Sequence, residues 1–288
     1  MKLYFGGVRG GQPVPDPAFQ QIGGDTTSFL VSGHQGEAVI VDAGTGLRNV
    51  YSQLSRTLPD TRTALLCCSH FHLDHLAGLP TFPALYDEAW SLELVARVIG
   101  DLTMEDIVSA FVHPPLWPLA LDELGAGKRF RILDDESMQA ASIYGSLELR
   151  WCPLHHPGGS TAFRIDEPAS GQSVVIATDL EWSESEEAER QWLRQLCAEP
   201  TPASVLVFDG KYAPGDYDAH RGWGHSTWQE GIDLARHCGV GALWLTHHDP
   251  AMDDEAALTR EDEVQAVWAS ARLARQGVEL DVGAVADS

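Results

Sequence analysis

Six short apolar runs constrain this chain's fold more than any other feature. Ser28–Ser32, Ala38–Val41, Thr63–Cys68, Ser173–Ala177, Val205–Phe208 and Ala242–Leu245 read as buried strands, and each gives way to a segment rich in Gly, His or Asp. Helical patterns lie between them, at Leu47–Thr57, Glu184–Ala198, Ser226–Cys238 and Glu261–Gln276. Met138–Trp151 and Thr161–Ile165 alternate in the manner of antiparallel strands. Strands and helices intermixed through both halves predict sheets with helices packed outside them. The polar residues gather at strand ends, where open α/β sheets carry their chemistry. Residues 84–136 fit this pattern least. A helix over Met104–Phe111 is followed there by His113-Pro-Pro-Leu-Trp-Pro118, whose prolines exclude a regular helix or a central strand. This stretch reads as an insertion covering the site of a single domain that spans residues 1–288.

The densest chemical signal is His70-Phe71-His72-Leu73-Asp74-His75, directly after the run Thr63–Cys68. Imidazole nitrogens and carboxylate oxygens are the donors that a borderline divalent metal prefers. On an ordinary strand His70, His72 and Asp74 would share one face and His75 the other, whereas a turn lets all four converge. Ligand-type residues recur at other strand ends. Asp42 follows Ala38–Val41, His156 follows the strand that ends near Cys152, Asp179 follows Val174–Ala177, and His247 follows Ala242–Leu245. The five cysteines show no zinc-ribbon or disulfide spacing and read as small buried hydrophobes.

The sequence resembles the metallo-β-lactamase superfamily, whose hallmark is a His-x-His-x-Asp-His loop with later His, Asp and His ligands. The resemblance implies an α/β, four-layer αββα sandwich. It implies that His70, His72 and His156 hold one metal, that Asp74, His75 and His247 hold a second, and that Asp179 bridges them with a hydroxide. Asp42 is then expected to orient a ligand histidine. His156 rather than His155 is the implied ligand, because in related enzymes that histidine lies eight residues before an Arg, here Arg164. The cofactors implied are two divalent ions, zinc first, with manganese or iron as substitutes.

Within the superfamily, Val207-Phe208-Asp209-Gly210 and Gly224-His225-Ser226-Thr227 resemble the phosphodiesterase branch that includes ribonuclease Z. The resemblance makes His225 the general acid, Asp209 the carboxylate that holds it protonated, and Asp74 a catalytic contributor through the second metal. Gly6-Gly7-Val8-Arg9-Gly10-Gly11 and Gly23-Gly24-Asp25-Thr26-Thr27 extend the likeness, with Asp25 where Asn is usual. The implied reaction is attack by metal-bound hydroxide on a small phosphodiester, a cyclic nucleotide or cyclic phosphate. Trp117 or Trp223 could contact a base. The rival readings are a tRNA 3′-processing nuclease, a thioester or lactone hydrolase on the same metals, and a metal-loaded sensor or redox module.

Charge bears on that choice. Nineteen basic against 42 acidic residues leave a net charge of −23. Such a surface repels polyanions and argues against a large nucleic-acid footprint. It leaves room for a small anionic substrate at a locally positive metal pair. Apolar residues form 44% of the chain, and no run approaches a membrane span. Met1–Gly11 lacks the basic start and apolar stretch of a signal peptide, so a cytoplasmic location is expected. A homodimer is one assembly open to it.

Overall fold

A computed structural model describes residues 1–134 and 142–286. Fourteen strands among these residues form two seven-stranded sheets. The first contains β1 (Lys2–Gly7), β2 (Ser28–Ser32), β3 (Ala38–Val41), β4 (Thr63–Cys67), β5 (Ser91–Arg97) and β6 (Gly127–Leu133). The second contains β7 (Ser142–Tyr144), β8 (Leu147–Leu154), β9 (Ser160–Glu167), β10 (Gln172–Ala177), β11 (Val205–Asp209), β12 (Ala242–Thr246) and β13 (Ala271–Leu273). β14 (Glu279–Asp281) returns to the first sheet, giving the orders β14-β1-β2-β3-β4-β5-β6 and β13-β12-β11-β10-β9-β8-β7. β3 through β6 run parallel, as do β10 through β13, while β7, β8, β9 and β10 pair antiparallel.

The alternation along each strand explains the layering. In β3, Val39 and Val41 join the core between the sheets, while Ala38 and Ile40 face outward under helices. β4 divides in the same way, with Leu65 and Cys67 inward and Ala64 and Leu66 outward. A strand buried on both faces must read as a continuous apolar run, which is the pattern of the sequence. Helix α1 (Leu47–Thr57) covers the first sheet with Leu47, Val50 and Leu54, a spacing that makes one apolar stripe. α2 (Met104–Phe111) adds Met104 and Val108 to the same layer. α3 (Glu187–Ala198), α4 (Trp228–Cys238) and α5 (Asp254–Val267) cover the second sheet, and α6 (Val282–Ala286) follows β14. The result is the four-layer αββα sandwich.

Two expectations need correction. Residues 84–136 contain β5 and β6, which extend the first sheet; residues 84–90 belong to the connection from β4, and residues 98–126 link β5 to β6. Ser91 and Glu93 break the apolar run that marks a buried strand, although Leu92, Leu94, Val95 and Ala96 are all buried between β4 and β6. The last two residues of that range, and Met138–Ala141 of the run Met138–Trp151, lie outside the described residues. The expected helix Glu261–Gln276 is instead the second half of α5 followed by β13. Asp253 starts α5 early by accepting the Ala256 N–H, and Trp268 leaves the helix with φ −148°. Ala271 and Leu273 are then buried on either side of a half-exposed Arg272, a strand's period of two.

Candidate metal centre

Every candidate residue lies at one rim of the sandwich. Asp42 follows β3, His70–His75 follows β4, His156 sits between β8 and β9, Asp179 follows β10, Asp209 closes β11 and His247 follows β12. Three of these, Asp42 (φ 63°), Asp179 (φ 57°) and His247 (φ 60°), are the non-glycine residues with left-handed backbone among those described. That conformation costs roughly 1–3 kcal/mol and persists where surrounding structure enforces it, typically at functional sites. Here it turns each side chain sharply from its strand end into the space between the sheets.

The side chains meet in overlapping sets whose donor atoms lie within 4.8 Å of one another: His70, His72 and His156; Asp74, His75 and His247; His70, His75 and Asp179; and Asp179, Asp209, His225 and His247. Asp179 is the hub. Its Oδ1 lies 3.9 Å from His70 Nε2, 3.8 Å from His156 Nε2 and 3.1 Å from His247 Nε2, and its Oδ2 lies 3.2 Å from His75 Nε2. Asp74 Oδ2 faces His75 Nε2 at 3.5 Å and His247 Nε2 at 3.3 Å.

The ring nitrogens turned away from this space are mostly occupied. His75 Nδ1 lies 2.9 Å from Asp42 Oδ2. His70 Nδ1 lies 3.0 Å from Ser69 Oγ, which donates to Asp42 Oδ2 at 2.9 Å. His156 Nδ1 donates to the Gly224 carbonyl at 2.7 Å. One buried carboxylate, Asp42, therefore sets the ring orientation of both His70 and His75. The inward Nε2 atoms of His70 and His75 are buried without a hydrogen-bond partner. Buried polar atoms seldom remain unpaired, so ring nitrogens without hydrogen-bond partners, converging beside two carboxylates, fit a cation site.

Electrostatics agree. Burial alone would strip His75 of its proton, yet Asp179, Asp74 and Asp42 around the ring outweigh it and hold its pKa well above the usual value. Burial pushes His70 down, aided by the charge on His75, and pushes His156 down to about 4, so both present free lone pairs. Burial would raise Asp74 and Asp179, but the neighbouring histidines hold both far below the carboxylate range.

His225 lies beside these sets. Its Nδ1 is 2.7 Å from Asp209 Oδ2, and its ring stacks on His247 at 4.6 Å and 25°. Burial pushes the pKa of His225 down to about 4 and that of Asp209 up to about 7.

Two neighbours of candidate ligands stay outside. His155 is half-exposed and faces Glu189 at 3.4 Å, and His248 is buried against the Ala274 carbonyl at 2.8 Å. Trp117 donates to Tyr86 Oη at 2.8 Å and packs, partly buried, against the outer-layer core. Trp223 is 62% exposed two residues before His225.

Some contributors carry no ligand chemistry in sequence. The Gly11 N–H donates to Asp74 Oδ2 at 2.6 Å. A Cβ on Gly10 would lie 2.2 Å from the His247 ring, so the glycine-rich start is what lets the chain pass the site. Asp25 accepts from Thr45, Asn49 and Gln276, which gives it a bracing role.

The family model described as the beta-lactamase superfamily domain matches residues 37–248, a span that holds every candidate ligand. Ribonuclease Z of Synechococcus sp. (strain WH7803) is 26% identical over 297 residues, covering 85% of this chain and 87% of its own. Among solved structures, human tRNase Z, short form, aligns with a TM-score of 0.68 at 18% identity, covering 98% of this chain and 99% of that one. A diphosphatase of the PhnP family aligns with a TM-score of 0.66 at 17% identity over 97% of each chain. The two structures share the fold described above.

Proposed function

We propose that this chain, which belongs to the β-lactamase superfamily of metal-dependent hydrolases, cleaves a small phosphodiester such as a cyclic nucleotide or cyclic phosphate. The observation that carries this reading is the Asp209–His225 pair, joined at 2.7 Å and stacked on His247 at 4.6 Å. It sets a proton-handling group against the ligand sets, which ester hydrolysis with an alkoxide leaving group requires.

In this reading His70, His72 and His156 would hold one divalent cation and Asp74, His75 and His247 the other, with the Asp179 carboxylate available to both sets. His/Asp donor sets of this kind suit zinc, with manganese or iron as substitutes. Two such cations, when bound, supply an activated water and offset phosphate charge. The chain's own residues do the rest. Asp42, directly and through Ser69, fixes the tautomers of His75 and His70 so that each Nε2 faces inward. The Gly224 carbonyl does the same for His156. Asp209, which burial biases toward its protonated form, can supply the proton shared with His225 Nδ1, so that the ring proton sits on Nε2, the atom that would hand it to the departing oxygen. Trp223 offers a stacking face for a base, held edge-on by His220 at 5.1 Å, which itself stacks on Tyr212 at 4.4 Å.

A second reading, a tRNA 3′-processing nuclease, draws support from the named relatives. The net charge of −23 opposes it, since a tRNA footprint needs a basic face to release counterions. The test is to load the protein with zinc or manganese. It is then assayed on bis-p-nitrophenyl phosphate, a cyclic-nucleotide panel, a thioester, a lactone and precursor tRNA. Turnover of phosphodiesters with weak tRNA cleavage is expected. Efficient tRNA end-processing at physiological salt, or turnover confined to the thioester or lactone, would overturn the proposal.

A further inference from the structure

We infer that Glu181 is a positioning residue that aims His156, and with it one of the two metal positions. The inference rests on the reading of His156 as a metal ligand. Glu181 is 1% exposed and lies two residues beyond Asp179, where the chain leaves β10. Its carboxylate is spent on one loop, the segment leading into His225. Oε1 accepts the Gly222 N–H at 2.6 Å and the Tyr217 hydroxyl at 2.7 Å, and Oε2 accepts the Gly224 N–H at 2.7 Å. Gly222 and Gly224 both have positive φ, 84° and 85°, so their N–H groups turn together and cup the anion.

That clasp has a direct consequence on the other side of the Gly224 residue. Its carbonyl receives the proton of His156 Nδ1 at 2.7 Å, and a Cβ on Gly224 would lie 2.4 Å from the same nitrogen. Backbone and ring are in contact, so the carbonyl position dictates both the ring's angle and its tautomer. His156 Nε2 is thereby left facing His72 Nδ1 at 3.2 Å and Asp179 Oδ1 at 3.8 Å. The same stretch of chain is tied a second time. Ser226 Oγ donates to the Leu180 carbonyl at 2.6 Å and accepts the Trp182 N–H at 3.0 Å. Residues 179–182 thus supply the bridging carboxylate, the clasp on Gly222 and Gly224, and the tie to Ser226. Asp42 orients His70 and His75; Glu181, through one carbonyl, orients the remaining anchored ring.

A carboxylate is required at this position. It offers acceptors to two backbone N–H groups and a hydroxyl at once. The amide of Glu181→Gln would turn an NH₂ toward one of those donors, releasing one end of the loop. A merely structural Glu181 would lower stability and leave the two metal positions equal.

The test uses the full chain, metal-free, titrated with zinc against a chromophoric chelator, with far-UV circular dichroism as the fold control. In Glu181→Gln one zinc equivalent should weaken about 10–100-fold, the range for losing an outer partner of a ligand histidine, while the other changes by less than about threefold. The ¹⁵N shifts of His156 in the metal-free variant should show a mixed tautomer where the wild type shows the proton on Nδ1. Tyr217→Phe removes one of the three donors and should give a smaller loss confined to the same equivalent. If Glu181→Gln does not fold, Gly224→Ala decides, because its Cβ displaces the His156 ring directly and should weaken the same equivalent. Equal loss of both equivalents, or unchanged affinity with an unchanged His156 tautomer, would overturn the inference. Wild-type protein that binds two equivalents with this pattern but hydrolyses no phosphodiester would sink the proposed function and leave Glu181's role standing. Wild-type protein that binds fewer than two would overturn this inference.

Discussion

Replacing Asp42 with alanine isolates the device that serves both ligand sets. The side chain is fully buried and accepts the Ser69 N–H at 2.7 Å, the Ser69 hydroxyl at 2.9 Å and His75 Nδ1 at 2.9 Å. Without it, the Ser69 N–H and a ring N–H of His75 remain buried and unpaired, at about 1–3 kcal/mol each. Alanine at φ 63° adds about 1 kcal/mol, since it lacks the local hydrogen bonding that lets Asp tolerate that backbone. Urea unfolding of the metal-free protein should therefore show a loss of about 3–7 kcal/mol, a large fraction of an ordinary domain's stability. Because Asp42 steers His75 directly and His70 through Ser69, both zinc equivalents should weaken together, by about 10–100-fold. Asp42→Asn keeps a residue that tolerates the left-handed backbone and one acceptor, and should lose about half as much stability. A stability loss under about 1 kcal/mol with unchanged metal affinity would refute the reasoning, because buried donors cannot go unpaired so cheaply.

Three further outcomes are expected. His225→Ala should impair hydrolysis of a cyclic nucleotide by about 10²–10⁴-fold and of bis-p-nitrophenyl phosphate far less, since a phenolate leaves without a proton; equal losses would show that His225 positions phosphate instead. Gly10→Ala should displace the His247 ring, which its Cβ would approach to 2.2 Å, and a chelator titration should show one weakened zinc equivalent; unchanged binding would mean that the neighbouring chain yields freely. Trp223→Ala should raise KM for a cyclic nucleotide by about 5–150-fold, from the 1–3 kcal/mol of a base–aromatic stack, and leave kcat nearly unchanged; an unaltered KM would remove Trp223 from substrate binding.

The parts of the fold legible in sequence were those that bury both faces. β2, β3 and α1 appear with their expected bounds because an uninterrupted apolar run or a single helical stripe has one reading. β1, β5, β6 and β14 were missed for local reasons: β1 ends in Gly6-Gly7, β5 mixes Ser91 and Glu93 with apolar residues, β14 has three residues, and in β6 Lys128 through Ile132 show no clean alternation of burial. The segment 261–276 misled because Ala-Ser-Ala-Arg-Leu-Ala suits a helix locally, while its pairing with β12 is a tertiary fact. At the site, the histidines and aspartates were legible because their types are rare at strand ends and they repeat there. The groups that aim them were not. Ser69, Gly10, Gly11 and Glu181 act through backbone groups or through contacts that span long stretches of chain, such as Gly11 with Asp74. The depth at which Asp209 and His225 are buried was likewise not legible, since sequence shows a carboxylate and a histidine but not their desolvation.

The most direct test of a two-metal centre is anomalous diffraction from crystals of the protein loaded with zinc. Two peaks about 3.5–4 Å apart are expected, as in known two-metal hydrolases, with Asp179 touching both, His70, His72 and His156 around one, and Asp74, His75 and His247 around the other. A single peak at full loading, or a pair that leaves Asp179 or His247 uncoordinated, would contradict it.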